Sequence, residues 1–392
     1  MDQETATEPA ASPPVSGVEL PANHSRSCEC DADLRLSLIR EETLARIEAV
    51  CLTVTKAIAR REIPELTFPS RSSWDVVSFS ETGGIELPEE RKLVRVRLDN
   101  KLSTKTFAFM IKVLGIVYRL VQEDKYCTKR DIYYQDPGLF GSQTVIDNVV
   151  DNVACMLEVP RWKLHVLATC KGLVAGDLQF YDGQGIHVDC SRTKMGVQIP
   201  AHDKDMQYLH TGARLVIVVE KDATFQKLLT DDFCHTYGRV ILITGKGFPD
   251  VGTRLMLRRI WDNFHLPVLV LTDSDPHGVE IMLVYKYGSK NHAFENQFLA
   301  VPALKWLGIL PSDLQRVPVR KETALVLSSG DLQKLTEMLQ RPYVISNRAL
   351  THQLEEMIQT GVKAELQCLD SVDTSFLSSV YLPNKIHAGD WI

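Results

Sequence analysis

The apolar positions of this chain change their period along its length. From Leu34 to Arg61, residues Leu36, Ile39, Leu44, Ile47, Val50 and Val54 recur at three- and four-residue intervals, the spacing of one helix face. Ile63 to Glu90 is loop-rich. The helical period returns in Phe107, Met110, Ile111, Leu114, Val117, Tyr118 and Val121, with Ser103 or Thr104 placed to cap that helix. A further amphipathic helix is predicted from Ser142 through Ile146, Val149, Val150, Val153 and Leu157, ended by Pro160. Between these two helices lies a short segment, Cys127 to Tyr134, read as extended. Beyond Pro160, Leu164 to Leu178 predicts two short strands around Gly172 and Gly176. Helix, helix, hairpin is the order of a winged helix.

From Leu215 onward the pattern is different. Nearly continuous apolar runs, Leu215–Glu220, Arg239–Thr244, Pro267–Thr272 and Phe298–Val301, alternate with helical stretches at Ala223–Leu229, Arg254–Phe264 and Gly278–Tyr285. Apolar strands separated by helices predict a parallel sheet buried on both faces. Ligands of such sheets sit beyond the carboxyl ends of the strands. Glu220, Gly245-Lys246-Gly247 and Asp273-Ser274-Asp275 all fall at such ends, and the three acids converge if the first and third strands are neighbours. Residues 331–392 read as mostly helix. The fold class predicted is α/β multidomain. Its parts are a disordered acidic tail over 1–33, a helix and basic arm over 34–100, a helical unit with a short hairpin over 101–185, and the α/β unit with C-terminal helices over 205–392.

Composition narrows the classes. The chain has 392 residues, 44% hydrophobic and 24% charged, enough for two or three domains with ample core. No uncharged apolar run reaches the ~18 residues of a membrane span. Phe107 to Leu120 comes closest and is interrupted by Lys112 and Arg119. The acidic, Pro-rich start does not read as a secretory signal. Nine cysteines without a C-x-x-C pair argue against a disulfide framework. His24, Cys28 and Cys30 lie close together, but in the tail, where a metal site is not expected. The net charge of −6 hides a basic stretch: Arg91 to Arg130 holds eleven Lys/Arg against three acids. Such a stripe suits phosphate contact, or it is a solvated helix face.

The candidate chemistry has two parts. Glu220, Asp273 and Asp275 form a carboxylate set that repels itself without a cation. Mg²⁺ favours a few carboxylates with water and substrate phosphate. The alternative is a capping Asp275 before Pro276 with a solvated Asp273. The second part is Arg130-Asp131-Ile132-Tyr133-Tyr134, a phenol beside a fixed positive charge. A phenol has pKa ~10, and Arg130 can both favour its ionised form and bind the phosphate it attacks. The alternative is a pair of tyrosines serving as ordinary strand residues, one ring buried. Lys221 and Lys246 sit beside the acidic set, where a phosphate would lie, or are ordinary surface lysines; with Lys129 of the basic stripe they are the candidate DNA contacts. Gly245-Lys246 is not an ATP-binding loop, since the upstream glycine is misplaced and a strand fills the gap.

Arg-Asp-Ile-Tyr-Tyr after a basic helix, then Val-Glu-Lys-Asp-Ala-Thr-Phe, Thr-Gly-Lys-Gly-Phe-Pro-Asp and Asp-Ser-Asp-Pro-His-Gly, closely resemble the family of meiotic double-strand-break proteins, eukaryotic relatives of the topoisomerase VI A subunit (type IIB topoisomerases). The resemblance runs from about residue 36 to the C-terminal Leu-Pro-Asn-Lys and Trp-Ile. It implies a winged-helix domain carrying the tyrosine and a Toprim domain carrying the metal. By position, Tyr134 matches the nucleophile and Arg130 its arginine. Glu220, Asp273 and Asp275 match the Mg²⁺-binding acids. Ser274 departs from the alanine that relatives often have there, without putting activity in doubt. The resemblance also implies a DNA-cleaving transesterase, grouped with the ATP-hydrolysing type II topoisomerases, that acts on double-stranded DNA as a homodimer. Its partners would be a topoisomerase VI B-like subunit, which supplies the ATPase module, and accessory proteins of meiotic chromosomes in the nucleus; no membrane is implied. Two alternatives stay open: the A subunit of a strand-passing topoisomerase, and a catalytically silent DNA-binding scaffold.

Overall fold

The computed structural model describes the backbone from Ser25 to Ile392 apart from Ser72, and side chains from Leu38 onward except those of Asp203 and Lys321. The chain divides into a small unit, Met1–Glu42, and a large one, Thr43–Ile392. Helix α1 (Ser25–Ala59) starts ahead of the predicted Leu34, within the stretch read as tail. His24 and the side chains of Cys28 and Cys30 lie outside the described residues.

The first half of the large unit is built around one apolar cluster. Strands β1 (Glu65–Pro69) and β2 (Leu93–Arg97) pair antiparallel. They pack with helices α2 (Thr104–Gln122), α3 (Lys129–Gln135) and α4 (Gln143–Leu157). The predicted periodicities of α2 and α4 are the buried faces: Phe107, Met110, Leu114, Val117 and Val121 on one, Ile146, Val149, Val150, Val153 and Leu157 on the other. Two expectations fail here. Cys127–Tyr134 is not extended beyond strand β3 (Cys127–Thr128), because Thr128 and Asp131 form a reciprocal capping box that starts α3. Leu164–Leu178 is not a hairpin. Strand β4 (Val166–Leu167) pairs in parallel with β3, whereas β5 (Leu173–Gly176) joins the large sheet.

That sheet runs in the order β6-β5-β8-β7-β9-β10, with β6 (Val197–Gln198), β7 (Leu215–Val219), β8 (Val240–Thr244), β9 (Val268–Leu271) and β10 (Lys305–Gly308). The four strands β8, β7, β9 and β10 are parallel, β5 joins β8 antiparallel, and β6 pairs antiparallel with β5. Alternate residues of the apolar runs face opposite sides. Val216, Val218, Ile241, Ile243, Val268 and Val270 join one core cluster, and Leu215, Ile217, Val219, Leu242, Leu269 and Leu271 the other. Both sides are covered, which is why the runs carry no polar alternation. The first face meets helices α6 (Val251–Phe264) and α7 (Pro276–Tyr287). The second meets α5 (Asp222–Thr230) and C-terminal residues such as Leu369, Leu377 and Leu382. The strand predicted at Phe298–Val301 is a turn, and the strand lies at β10 instead. Among the described residues no helix is long and apolar enough to cross a membrane.

Candidate active site

Parallel pairing of β7 with β9 aligns Val219 with Leu271, so the residues that follow emerge side by side. Glu220 N donates to Leu271 O at 3.0 Å, and Asp273 N donates to Glu220 Oε2 at 2.9 Å. Glu220 is 8% exposed and Asp273 3%. Burial, with the Asp273 charge next in size, pushes the Glu220 carboxyl up to about 7. Burial likewise raises Asp273, against the opposing effect of Lys221 and the Leu366 N–H. Asp275 adds to both rises and caps α7, accepting from Gly278 N at 2.6 Å. Gly278 is required by close approach: a Cβ there would lie 2.4 Å from Asp273 O.

Lys221 answers part of this charge. Its amine is 2.7 Å from Asp273 Oδ2 and 3.0 Å from Glu365 Oε2, and it donates to Gln367 Oε1 at 3.2 Å. Asp273 Oδ1 accepts from Leu366 N at 2.8 Å. Lys246, at φ 53° in the loop after β8, pairs with Asp222 Oδ2 at 3.1 Å. Gly247 N of the same loop donates to Glu220 O at 2.8 Å.

Among the described residues, no three His, Cys, Asp or Glu side chains are already gathered closely enough to hold a metal ion. The donor chemistry nevertheless fits Mg²⁺. It consists of carboxylate oxygens only, with Glu220 and Asp273 nearly buried, Glu220 raised by the charge of Asp273 and both raised by that of Asp275, and the attending amine comes from Lys221.

The tyrosines lie on α3. Ile132 is fully buried and Tyr133 packs half-buried against the same cluster, so the next position, Tyr134, faces outward and is 70% exposed. The two rings meet edge-on, with centroids 5.3 Å apart. Arg130, four residues earlier, shares the exposed face of Tyr134 by helical spacing. Neither side chain makes a hydrogen bond or ion pair among the described residues. Lys129 turns the other way, its amine 2.9 Å from Asp151 Oδ1 on α4.

Arg130 and Tyr134 thus share one helix face, and Glu220, Asp273 and Asp275 share one set of strand ends. No hydrogen bond or ion pair joins the two groups among the described residues. Of the basic stretch, Arg91, Arg97 and Lys125 are engaged by Glu158, Asp99 and Glu123. Arg95, Lys101, Lys105 and Lys112 are exposed, with no ion pair among the described residues. Sequence reasoning missed Glu365 and Leu366. They reach the acids because Ala364 bridges Ser274, a backbone pairing with no local signature.

A parallel sheet with an acid at each of two adjacent strand ends, joined to a helical unit bearing an exposed Arg–Tyr face, defines the class. Residues 105–166 match the family profile "Type IIB DNA topoisomerase", and residues 215–386 match the profile of the Toprim domain shared by Spo11 and the A subunit of topoisomerase 6. The chain is 44% identical over 351 residues to the meiotic recombination protein SPO11 of Mus musculus, covering 90% of this chain and 89% of that protein. It is 36% identical over 331 residues to the meiotic recombination protein W68 of Drosophila melanogaster, covering 82% and 91%. It is 35% identical over 347 residues to the A subunit of DNA topoisomerase 6 from Arabidopsis thaliana, covering 88% and 80%. The chain belongs to the family that unites Spo11 with the A subunit of topoisomerase 6, and its α/β unit is a Toprim domain.

Proposed function

We propose that this protein initiates meiotic recombination by cutting DNA through tyrosine transesterification, acting on double-stranded DNA in the nucleus. The Tyr134 oxygen attacks a backbone phosphorus and gives up its proton. The bond from phosphorus to the 3′ oxygen breaks, the 3′ end leaves as a hydroxyl, and the 5′ phosphate stays on Tyr134. The phosphodiester energy is retained in the phosphotyrosine, so the step is reversible without ATP. Arg130, sharing the exposed face of Tyr134, binds the attacked phosphate. Glu220, Asp273 and Asp275 would hold Mg²⁺, which when bound supplies neutralisation of the phosphate charge and stabilisation of the leaving oxygen.

The reading rests on one observation above the others. Tyr134 is the exposed member of the pair, on a helix face with an arginine, in a chain whose strand ends bring Glu220 and Asp273 together. We read α2, α3 and α4, with the paired strands β3 and β4, as a winged-helix domain on their packing around one core, and the large sheet, β5 and β6 included, with the C-terminal helices as the Toprim domain. Two copies are needed to cut two strands, and any ATPase function would come from a B-like partner. Accessory proteins of meiotic chromosomes complete the expected assembly.

The A subunit of a strand-passing topoisomerase is the second reading, supported by the plant relative of that name. The higher identity to the meiotic protein, 44% against 35%, favours the first. The test is recovery of protein-linked DNA 5′ ends from meiotic cells under denaturing conditions. Adducts are expected with the wild-type chain and absent with Tyr134→Phe. Equal adducts in both would move the nucleophile elsewhere.

A further inference from the structure

Lys129 immediately precedes Arg130 yet does not share its surroundings. Its amine lies 2.9 Å from Asp151 Oδ1 and 3.3 Å from Asp147 O, both on α4, with Asp147 Oδ1 at 3.8 Å. The same Asp151 oxygen accepts from Arg161 NH1 at 3.2 Å. Arg161 turns the rest of its guanidinium onto Glu295. Its Nε and NH2 reach Oε1 at 3.0 and 2.5 Å, and its backbone N reaches Oε2 at 3.3 Å. Glu295 lies in the turn between α7 and β10 and is completely buried, with His292 Nδ1 3.1 Å from the same oxygen. Four side chains of alternating sign therefore run from the first residue of α3 to the interior of the α/β unit.

The anchorage at the far end is firm. Asn296, next to Glu295, donates to Ile85 O and Ser289 O at 3.0 and 2.8 Å and accepts from the buried Arg254 at 3.3 Å. A parallel tie joins the same two regions, Arg71 donating to Asn152 Oδ1 on α4 at 2.6 Å and to Asn291 O at 3.0 Å. A buried carboxylate such as Glu295 is tolerated only with partners in good geometry. Arg161 provides that geometry at a fixed orientation, and Asp151 passes it to Lys129.

We propose that Lys129, Asp151, Arg161 and Glu295 form a positioning relay that fixes the Tyr134 helix relative to the α/β unit carrying the acids. Lys129 is then a positioning residue rather than a phosphate contact. The catalytic consequence rests on the reading of Tyr134 as nucleophile; the mechanical one does not.

The test uses the full-length chain with Lys129→Met, Lys129→Arg and Glu295→Gln. In DNA-free protein, amide hydrogen exchange of Lys129–Gln135 is expected to rise about tenfold or more in Lys129→Met, the effect of losing a charge-assisted bond. It is expected to stay near wild type in Lys129→Arg, which keeps the charge. Glu295→Gln, at the other end of the chain of contacts, is expected to raise exchange in α3 as well. On the Tyr134→Phe background, Lys129→Met is expected to leave DNA affinity within about twofold and its salt slope unchanged. In the cleavage-competent protein, adduct yield is expected to fall with Lys129→Met and to persist with Lys129→Arg. The relay is overturned if α3 exchange is unaltered in Lys129→Met, if Glu295→Gln affects only its own surroundings, or if Lys129→Met lowers affinity together with a loss of about one in salt slope. A wild-type protein without a Tyr134 adduct would defeat the functional reading, while the exchange and salt measurements would still decide the relay.

Discussion

The acid-bearing strand ends and the tyrosine helix are held in opposite ways. Glu220 and Asp273 continue two adjacent parallel strands whose every residue is buried, and backbone bonds to Leu271 O and from Leu366 N hold them. Their positions follow from the sheet itself. The tyrosine helix is seven residues long. It is held by one fully buried side chain, Ile132, by a capping box, by the half-buried Tyr133, and by the outward reach of Lys129 to Asp151. Within one chain, the acids have protein partners, whereas the Tyr134 hydroxyl has none among the described residues. One half of the proposed centre is therefore built by the fold, and the other is presented to whatever docks on it.

That contrast can be broken from either side. Asp273→Asn removes an acid from the half built by the sheet. With several kcal/mol of transition-state stabilisation assigned to the metal site, DNA cleavage is expected to fall about 10²–10³-fold with DNA affinity little changed, as measured by adduct yield against Mg²⁺ concentration. Unchanged cleavage would remove Asp273 from the centre. On the other half, Ile132→Ala deletes the one fully buried anchor of α3. A loss of about 2–5 kcal/mol is expected in denaturant unfolding. A loss below about 1 kcal/mol would mean that the cap, Tyr133 and Lys129 fix the helix without it.

The link between the halves carries a pH signature. Burial alone would raise Glu295, but Arg161 and His292 outweigh it and hold the carboxyl at about 2. The ordinary value is ~4.3, so its stabilising contribution is complete above that pH and is lost as pH falls toward 2. Thermal unfolding followed from about pH 5 down to about pH 2, a window that spans both values, is expected to show a shallower acid slope in Glu295→Gln than in wild type. Identical slopes would contradict the pairing. The smallest effect concerns the basic stretch. Neutralising any one of Arg95, Lys101, Lys105 or Lys112 is expected to lower the salt slope of DNA binding by about 0.9 if that residue contacts a phosphate. The already paired Arg97 and Lys125 are expected to change it less.

The same contrast explains what the sequence discloses. The sheet is legible because strands buried on both faces read as uninterrupted apolar runs, and the acids stand out at the ends of Leu215–Val219 and Val268–Leu271. The tyrosine helix reads as extended from sequence, since Ile132, Tyr133 and Tyr134 favour strands. The overriding signal, Thr128 followed three residues later by Asp131, is present in the sequence. The short apolar run Phe298–Val301 has no period to separate a strand from a buried turn, and Pro302 follows it. Lys221 does stand beside the acids, and Lys246 lies in the neighbouring loop, but their partners Glu365 and Asp222 have no signal in the pattern. Glu365 arrives through the pairing of Ala364 with Ser274, which no local pattern announces.

The most direct measurement is the identity of the residue joined to DNA. Covalent complexes formed by the full-length protein with its partners are digested with nuclease and protease, and the modified peptide is sequenced by mass spectrometry. A nucleotide linked through its 5′ phosphate to Tyr134, with Tyr133 unmodified, is the expected result. Attachment at Tyr133, or at any residue outside the Lys129–Gln135 helix, would contradict the assignment of the exposed ring as the nucleophile.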